Sequence, residues 1–142
     1  MPKVKEAKKV VDVVSAASAV PVAKFNPAGG TISARVSSGF AQPGSYGLFL
    51  WEVNQNKILM EQQGNFLNSA DDEYPLPGSN SAHQGRHVQA LVTVAITPPE
   101  LHYAIGLTVF QDGKALASDL KTGSADAGTA VTRTLWIRLE AQ

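Results

Sequence analysis

Cysteine is absent from the chain, and neither sign of charge is in excess. Without cysteine, the protein forms no disulfide, holds no thiolate zinc site and uses no cysteine nucleophile. Lysine and arginine number 12 together, and aspartate and glutamate also number 12. This balance argues against a protein dedicated to phosphate contacts with nucleic acid. No apolar run approaches the length of a membrane-spanning helix. These absences exclude several classes of function and select none.

What is present is typical of one globular domain. The chain has 142 residues, of which 44% are apolar and 17% charged, so it is long enough to bury a core without covalent cross-links. We expect no cofactor. The lack of cysteine does not decide the compartment. We expect a cytoplasmic protein, with export through an atypical N-terminal signal as the alternative.

The first 24 residues differ from the rest in charge. Lysines outnumber acidic residues by three between residues 1 and 24, and acidic residues outnumber basic ones by three in the remainder. Val4, Ala7, Val11 and Val14 recur at helical spacing, but valines are poor helix formers and a short isolated helix is marginal in water. We therefore predict a basic, flexible or partly helical N-terminal tail over residues 1–24 and a folded domain over residues 25–142.

The body of the chain alternates with a period of two, as β-strands do. Seven segments show strand patterns, and an eighth strand is added if Val22–Phe25 pairs. They cover residues 31–37, 46–53, 57–62, 87–97, 102–111, 114–120 and 129–140. Asp112-Gly113 predicts a tight hairpin turn between two of them. The short link between the 87–97 and 102–111 strands most simply predicts a hairpin, with an arch between sheets as the alternative.

These strands predict the fold class. Short strands with frequent turns and no strong helix are typical of two antiparallel sheets that bury one face each against the other. We therefore predict an all-β sandwich of about seven or eight strands, immunoglobulin-like or jelly-roll-like in architecture. The Cys…Trp…Cys spacing of true immunoglobulin domains is absent.

The stretch from Gly64 to Arg86 has no convincing strand, and structureless loops of this length are often functional or disordered. The candidate metal ligands are its oxygen-rich cluster, its histidine and the histidine that directly follows it: Asp71, Asp72, Glu73, His83 and His87. The spacing of the acids fits no calcium loop, and the two histidines lack an identifiable third zinc ligand. A solvated acidic turn is therefore the preferred interpretation.

Aromatic side chains supply the candidate binding residues. On the last strand, the alternation that buries Leu135 and Ile137 places Trp136 on the opposite face, near Arg138. Tryptophan and arginine are enriched at binding hot spots, so these two residues are a candidate contact surface unless the N-terminal segment or a loop covers Trp136. Tyr74 is a further exposed candidate. Trp51 lies on a strand that is apolar on both faces, which predicts a core position.

The function class follows mainly from what the motifs do not supply. Gly44-Ser45-Tyr46-Gly47 lacks the leading glycine of a hydrolase nucleophile elbow, and no phosphate-binding loop is present. We therefore expect a non-catalytic binding or interaction module that recognises a carbohydrate, a small ligand or a protein partner, and neither nucleic acid nor a membrane span. The alternative is a hydrolase whose carboxylates or histidines come from several strands and the 64–86 segment.

Overall fold

The structure, a computed structural model, describes residues 20–67 and 72–142. In these ranges the chain forms nine strands and one short 3-10 helix, Asn80–His83. The strands are β1 (Val22–Phe25), β2 (Ile32–Ser38), β3 (Gly44–Trp51), β4 (Ile58–Asn65), β5 (Asp72–Pro75), β6 (His87–Ala95), β7 (His102–Gln111), β8 (Lys114–Ser124) and β9 (Ala130–Ala141). Among the described residues, no helix has the length and apolar character needed to cross a membrane.

Two sheets pack face to face. The large sheet has the strand order β1-β9-β6-β3-β4, and the small sheet has the order β5-β2-β7-β8. Neighbouring strands are antiparallel, except that β1 runs parallel to β9. The all-β, two-sheet sandwich expected from the sequence is therefore confirmed, and the described residues form more strands than the seven or eight that were predicted.

The chain crosses between the sheets at most of its connections. Of the connections between the nine described strands, only β3–β4 and β7–β8 stay within one sheet. At the second of these, Asp112 and Gly113 have φ angles of 53° and 76°, the positive values that a tight hairpin turn requires. The simplest interpretation of the β6–β7 link is wrong: β6 belongs to the large sheet and β7 to the small one, so the link is an arch.

The core lies between the sheets and is built from the inward-facing positions of each strand. β6, β7 and β9 contribute most of the completely buried aliphatic side chains. These are Val88, Ala90, Val92, Val94, Ile105, Leu107, Val109, Leu135, Ile137 and Leu139. The period-two alternation of the sequence is therefore the pattern of burial, because successive side chains of a strand point to opposite faces of the sheet.

A buried glutamine closes each end of the sandwich. Gln42, in the β2–β3 loop, donates to the carbonyls of Glu100 (2.6 Å) and His102 (3.1 Å) and accepts from the Thr97 N–H (2.8 Å). At the other end, the Gln111 amide accepts from the Asn26 N–H and donates to the carbonyls of Asn26 and Gly30. Each side-chain amide therefore forms hydrogen bonds with backbone groups in and beside a loop, where a neighbouring strand does not supply the partners.

The chain joins the sandwich a few residues earlier than its composition suggested. β1 pairs with β9 from Val22 onward, and the side chains of Ala23 and Phe25 are fully buried. The conditional eighth strand is therefore present. Residues 1–19 of the predicted basic tail lie outside the described residues.

The predicted strandless stretch from Gly64 to Arg86 is also interrupted by regular structure. β4 continues to Asn65, and the acidic residues Asp72 and Glu73 begin β5, which pairs with β2. Asp72 accepts a hydrogen bond from the Tyr46 hydroxyl (2.5 Å), and Glu73 accepts one from the Ser33 hydroxyl (2.7 Å). Acidic residues have low strand propensity, so the pairing with β2 and these side-chain partners, which are distant in the chain, explain the strand.

We expect Leu107→Ala to lower the free energy of unfolding by about 2–5 kcal/mol, through lost burial and the cavity that remains. Leu107 is completely buried on β7. The neighbouring Thr108→Ala is the matched control, because the Thr108 side chain points outward and its hydroxyl lies 3.0 Å from the Ser118 hydroxyl. It should change the free energy by less than about 1 kcal/mol. Urea unfolding measures both; equal losses would contradict the assigned inner face.

We expect Gln42→Leu to lower the free energy of unfolding by about 1–3 kcal/mol, because three backbone groups of the β6–β7 arch lose their partner. The exposed Gln63 on β4 offers the matched control, Gln63→Leu. Urea unfolding measures both variants. Equal stability of the two would contradict the prediction, because it would show that water replaces the hydrogen bonds of the Gln42 amide without loss of stability.

Candidate functional site

An open cleft of about 580 Å³ lies on the outer face of the large sheet. We call it the indole cleft, because two tryptophans line it. It is lined by Val20, Pro21, Trp51, Glu52, Asn54, Gln55, His87, Asp119, Lys121, Thr134 and Trp136. β3, β6 and β9 form the floor, the β3–β4 turn forms one side, and β8 with the segment preceding β1 forms the other.

Strand register brings the aromatic side chains together. Trp51 of β3 pairs with His87 of β6, and Trp136 of β9 pairs with Gln89 two residues further along β6. Their sequence neighbours Leu50, Leu135 and Ile137 are fully buried, so Trp51 and Trp136 must point away from the core. The chain contains only two tryptophans, and both lie in the cleft.

Each indole is held in place by a neighbour. The Trp51 Nε1–H donates to the Gln89 Oε1 (2.8 Å). The Trp136 ring meets the His87 ring edge-on, with the centroids 6.2 Å apart and the planes at 84°, an arrangement that aromatic rings favour. Both platforms are therefore oriented before any ligand arrives.

A carboxylate of the small sheet closes one side of the cleft. β1 begins at Val22, which pairs with Arg138, so β1 does not reach the backbone of Trp136. The Trp136 N–H donates instead to the Asp119 Oδ2 of β8 (3.0 Å). The Lys121 Nζ lies 3.8 Å from the other Asp119 carboxylate oxygen. Asp119 therefore joins two strand edges that belong to different sheets.

A second carboxylate is tied to a buried network behind the cleft. Glu52 accepts two hydrogen bonds of 3.0 Å from the Arg86 guanidinium and one from the Val53 N–H. The Arg86 hydrogen bonds, followed by the one from Val53, lower the pKa of Glu52 from 4.5 to about 2. Glu52 is therefore a firmly held anion near neutral pH.

The histidine behind this ion pair is completely buried. The Arg86 Nη1 lies 3.2 Å from the His83 Nδ1, and because arginine only donates, Nδ1 must accept. The neutral ring then carries its proton on Nε2, which has no hydrogen-bond partner among the described residues. Burial, with a smaller effect of Arg86, lowers the pKa of His83.

His87, between the two indoles, is also favoured in its neutral form. Burial is the main cause that lowers its pKa, and the positive charge of Arg138 adds to it. The floor of the cleft therefore consists of two indoles and an uncharged imidazole at neutral pH.

The structure separates the residues that the sequence nominated for binding. Trp136 lines the cleft, whereas Arg138 lies two residues along β9 and pairs with Glu140 (3.0 Å). Tyr74 belongs to the small sheet, where its hydroxyl lies 2.8 Å from that of Tyr46. Among the described residues, Tyr74 and Arg138 are therefore not part of the cleft lining.

Trp51 and Asp119 are among the cleft residues that sequence reasoning missed. The predicted core position of Trp51 is wrong: its side chain is half-buried on the outer face, because no further layer of the described residues covers the large sheet there. No sequence pattern indicated Asp119, because its role depends on the approach of β8 to β9 in the folded structure. The continuous apolar pattern of β3 and the strand register together could have placed Trp51 beside His87.

The nominated metal ligands do not converge. Asp72 and Glu73 bond different strands, His83 is enclosed behind Glu52, and His87 lies on the outer face of the large sheet. No group of three histidine, aspartate or glutamate side chains suited to a metal ion occurs in residues 20–67 and 72–142. Asp71 lies outside these ranges.

Comparison with protein-family models, with curated protein sequences and with solved structures finds no match for this chain. Any assignment of function must therefore be argued from the indole cleft and its chemistry.

We expect the Glu52–Arg86 ion pair to stabilise the fold fully above about pH 4.5 and progressively less as the pH falls toward 2. The folded-state pKa of Glu52 is depressed, so acid removes the negative charge that the folded state prefers. The gap in Tm between the natural protein and Glu52→Gln should narrow over this range. Glu61→Gln, on exposed β4, controls for the loss of one charge. A gap that widens in acid would contradict the ion-pair account.

Proposed function

We propose that this protein is a non-catalytic binding module and that the indole cleft is its ligand site. The observation that carries the proposal is the meeting of both tryptophans of the chain, pre-oriented by Gln89 and His87, in one open cleft of about 580 Å³. Ligand sites in proteins are typically concave, of this size, and lined by aromatic side chains with a few polar groups. Tryptophan is also enriched at binding hot spots.

The charges of the cleft favour binding over catalysis. A general acid for hydrolysis needs a carboxyl group whose pKa is raised toward neutral pH. The pKa of Glu52 is shifted in the opposite direction, because Arg86 stabilises the carboxylate as an anion. Asp119 already accepts the Trp136 N–H and lies near Lys121. Both carboxylates are thus committed to holding the cleft together, which supports a binding module over the hydrolase alternative.

The cleft supports a small ligand over a flat protein partner. The β3–β4 turn lines one side of the cleft, and the segment at Val20 and Pro21 lines the other. A partner chain would need a projecting element to reach the indoles between these sides. A small molecule of a few linked rings can contact the indoles without such an element.

Tryptophan fluorescence tests the proposal, because both tryptophans lie in the cleft and every emission change reports on it. The panel consists of cello-, chito-, malto- and mannotetraose, adenosine and choline. We expect at least one compound to change the emission saturably, and calorimetry to show binding lost in both Trp51→Ala and Trp136→Ala. The exposed aromatic Phe40 offers the control, Phe40→Ala.

Incubation of the bound compound with the protein then separates binding from catalysis. We expect mass spectrometry to recover the compound unchanged. Cleavage that depends on Glu52 or Asp119 would favour the hydrolase, and a panel without any effect on the tryptophans would contradict the cleft as the ligand site.

A further inference from the structure

The chemical class of the ligand can be narrowed by the charges of the indole cleft. Glu52 is neutralised by Arg86, with two hydrogen bonds of 3.0 Å. Asp119 accepts the Trp136 N–H and lies 3.8 Å from Lys121. Among the described residues, each carboxylate that lines the cleft already has a cationic partner, and the lining lysine, Lys121, already has Asp119 as its counter-charge. A charged ligand would give up its hydration without gaining an opposite charge.

The spacing of the indoles sets a minimum length for the ligand. Trp51 and Trp136 stand on β3 and β9, which flank β6, and their positions are offset by two residues. Standard sheet dimensions place their backbones roughly 10 Å apart across the strands and about 7 Å along them. A single ring covers one indole, whereas a ligand of two or more linked rings reaches both.

The polar groups around the indoles suit hydroxyl groups. Asn54 and Gln55 project from the β3–β4 turn, and Thr134 lies beside Trp136 on β9. Amides and hydroxyls donate and accept hydrogen bonds without net charge. The indole faces are electron-rich, so they attract the C–H groups of a sugar ring, which its oxygen atoms leave partly positive. An uncharged ring with one C–H face and a hydroxylated rim matches both features.

Building on the proposed function, we propose that the indole cleft binds a neutral oligosaccharide of at least two sugar rings, laid across β6 from Trp51 to Trp136. One ring stacks on each indole, and the rim of amides and hydroxyls bonds the sugar hydroxyls. Because both indoles are already fixed by Gln89 and His87, binding loses little side-chain freedom.

Calorimetry and tryptophan fluorescence with gluco-, manno-, xylo- and N-acetylglucosamine oligomers of one to six rings test the proposal on the full chain. We expect affinity for the recognised series to rise from one ring to two or three and then to level off. Each of Trp51→Ala and Trp136→Ala should weaken binding about tenfold or more and remove the gain with length. Phe40→Ala should bind as the natural protein does.

Ionic strength provides a second, independent readout. A neutral ligand predicts a Kd that stays constant between about 50 mM and 500 mM salt, because screening acts only on charges. Thermal melting of every variant should show that the fold is intact. Where Trp→Ala variants fail to fold, Trp51→Phe and Trp136→Phe should keep part of the affinity, because phenylalanine retains a smaller platform.

The outcomes separate this inference from the proposed function. Length-dependent, salt-independent binding of an oligosaccharide that needs both indoles supports it. Binding of adenosine or choline in the cleft, with no oligosaccharide bound, overturns the ligand class and leaves the cleft as the site. Binding of a single sugar with full affinity overturns the two-ring arrangement. Oligosaccharide binding that survives loss of both tryptophans overturns the site itself.

Discussion

The hydrogen bond from the Trp136 N–H to the Asp119 carboxylate joins the edges of two different sheets. β1 is only four residues long and pairs with β9 no earlier than Arg138. The Trp136 N–H would otherwise lack a ladder partner among the described residues, and a backbone donor without a partner is costly in a partly buried position. Asp119 satisfies it from β8, and this contact turns the side of the sandwich into one wall of the indole cleft.

The other charged groups around the cleft also hold separate segments of the chain together. Glu52 orients Arg86, which in turn bonds the buried His83, so the turn after β3 and the segment before β6 are held as one unit. Pairs of this kind contribute geometry more reliably than stability. Their effect here is a cleft whose shape is fixed by ion pairs while its floor stays aromatic and uncharged.

The sequence predicted the parts of the molecule that depend on local pattern. Alternation located Leu107 and Leu135 in the core, and Asp112-Gly113 located a hairpin, since side-chain period and positive φ are properties of a few consecutive residues. Trp136 was placed on the outer face by the same rule. Trp51 was misplaced, because an apolar strand face does not reveal whether another layer covers it. β5 and Asp119 depend on partners distant in the chain, which no local pattern encodes.

The topology also determines the order in which the strands of the large sheet can pair during folding. β1 and β9 are the first and last described strands, and they lie side by side. β6 has only β3 beside it until β9 arrives on its other flank. Pairings between such distant segments require closure of long loops and slow the search for the native state. During synthesis, the large sheet therefore remains incomplete until β9 has left the ribosome.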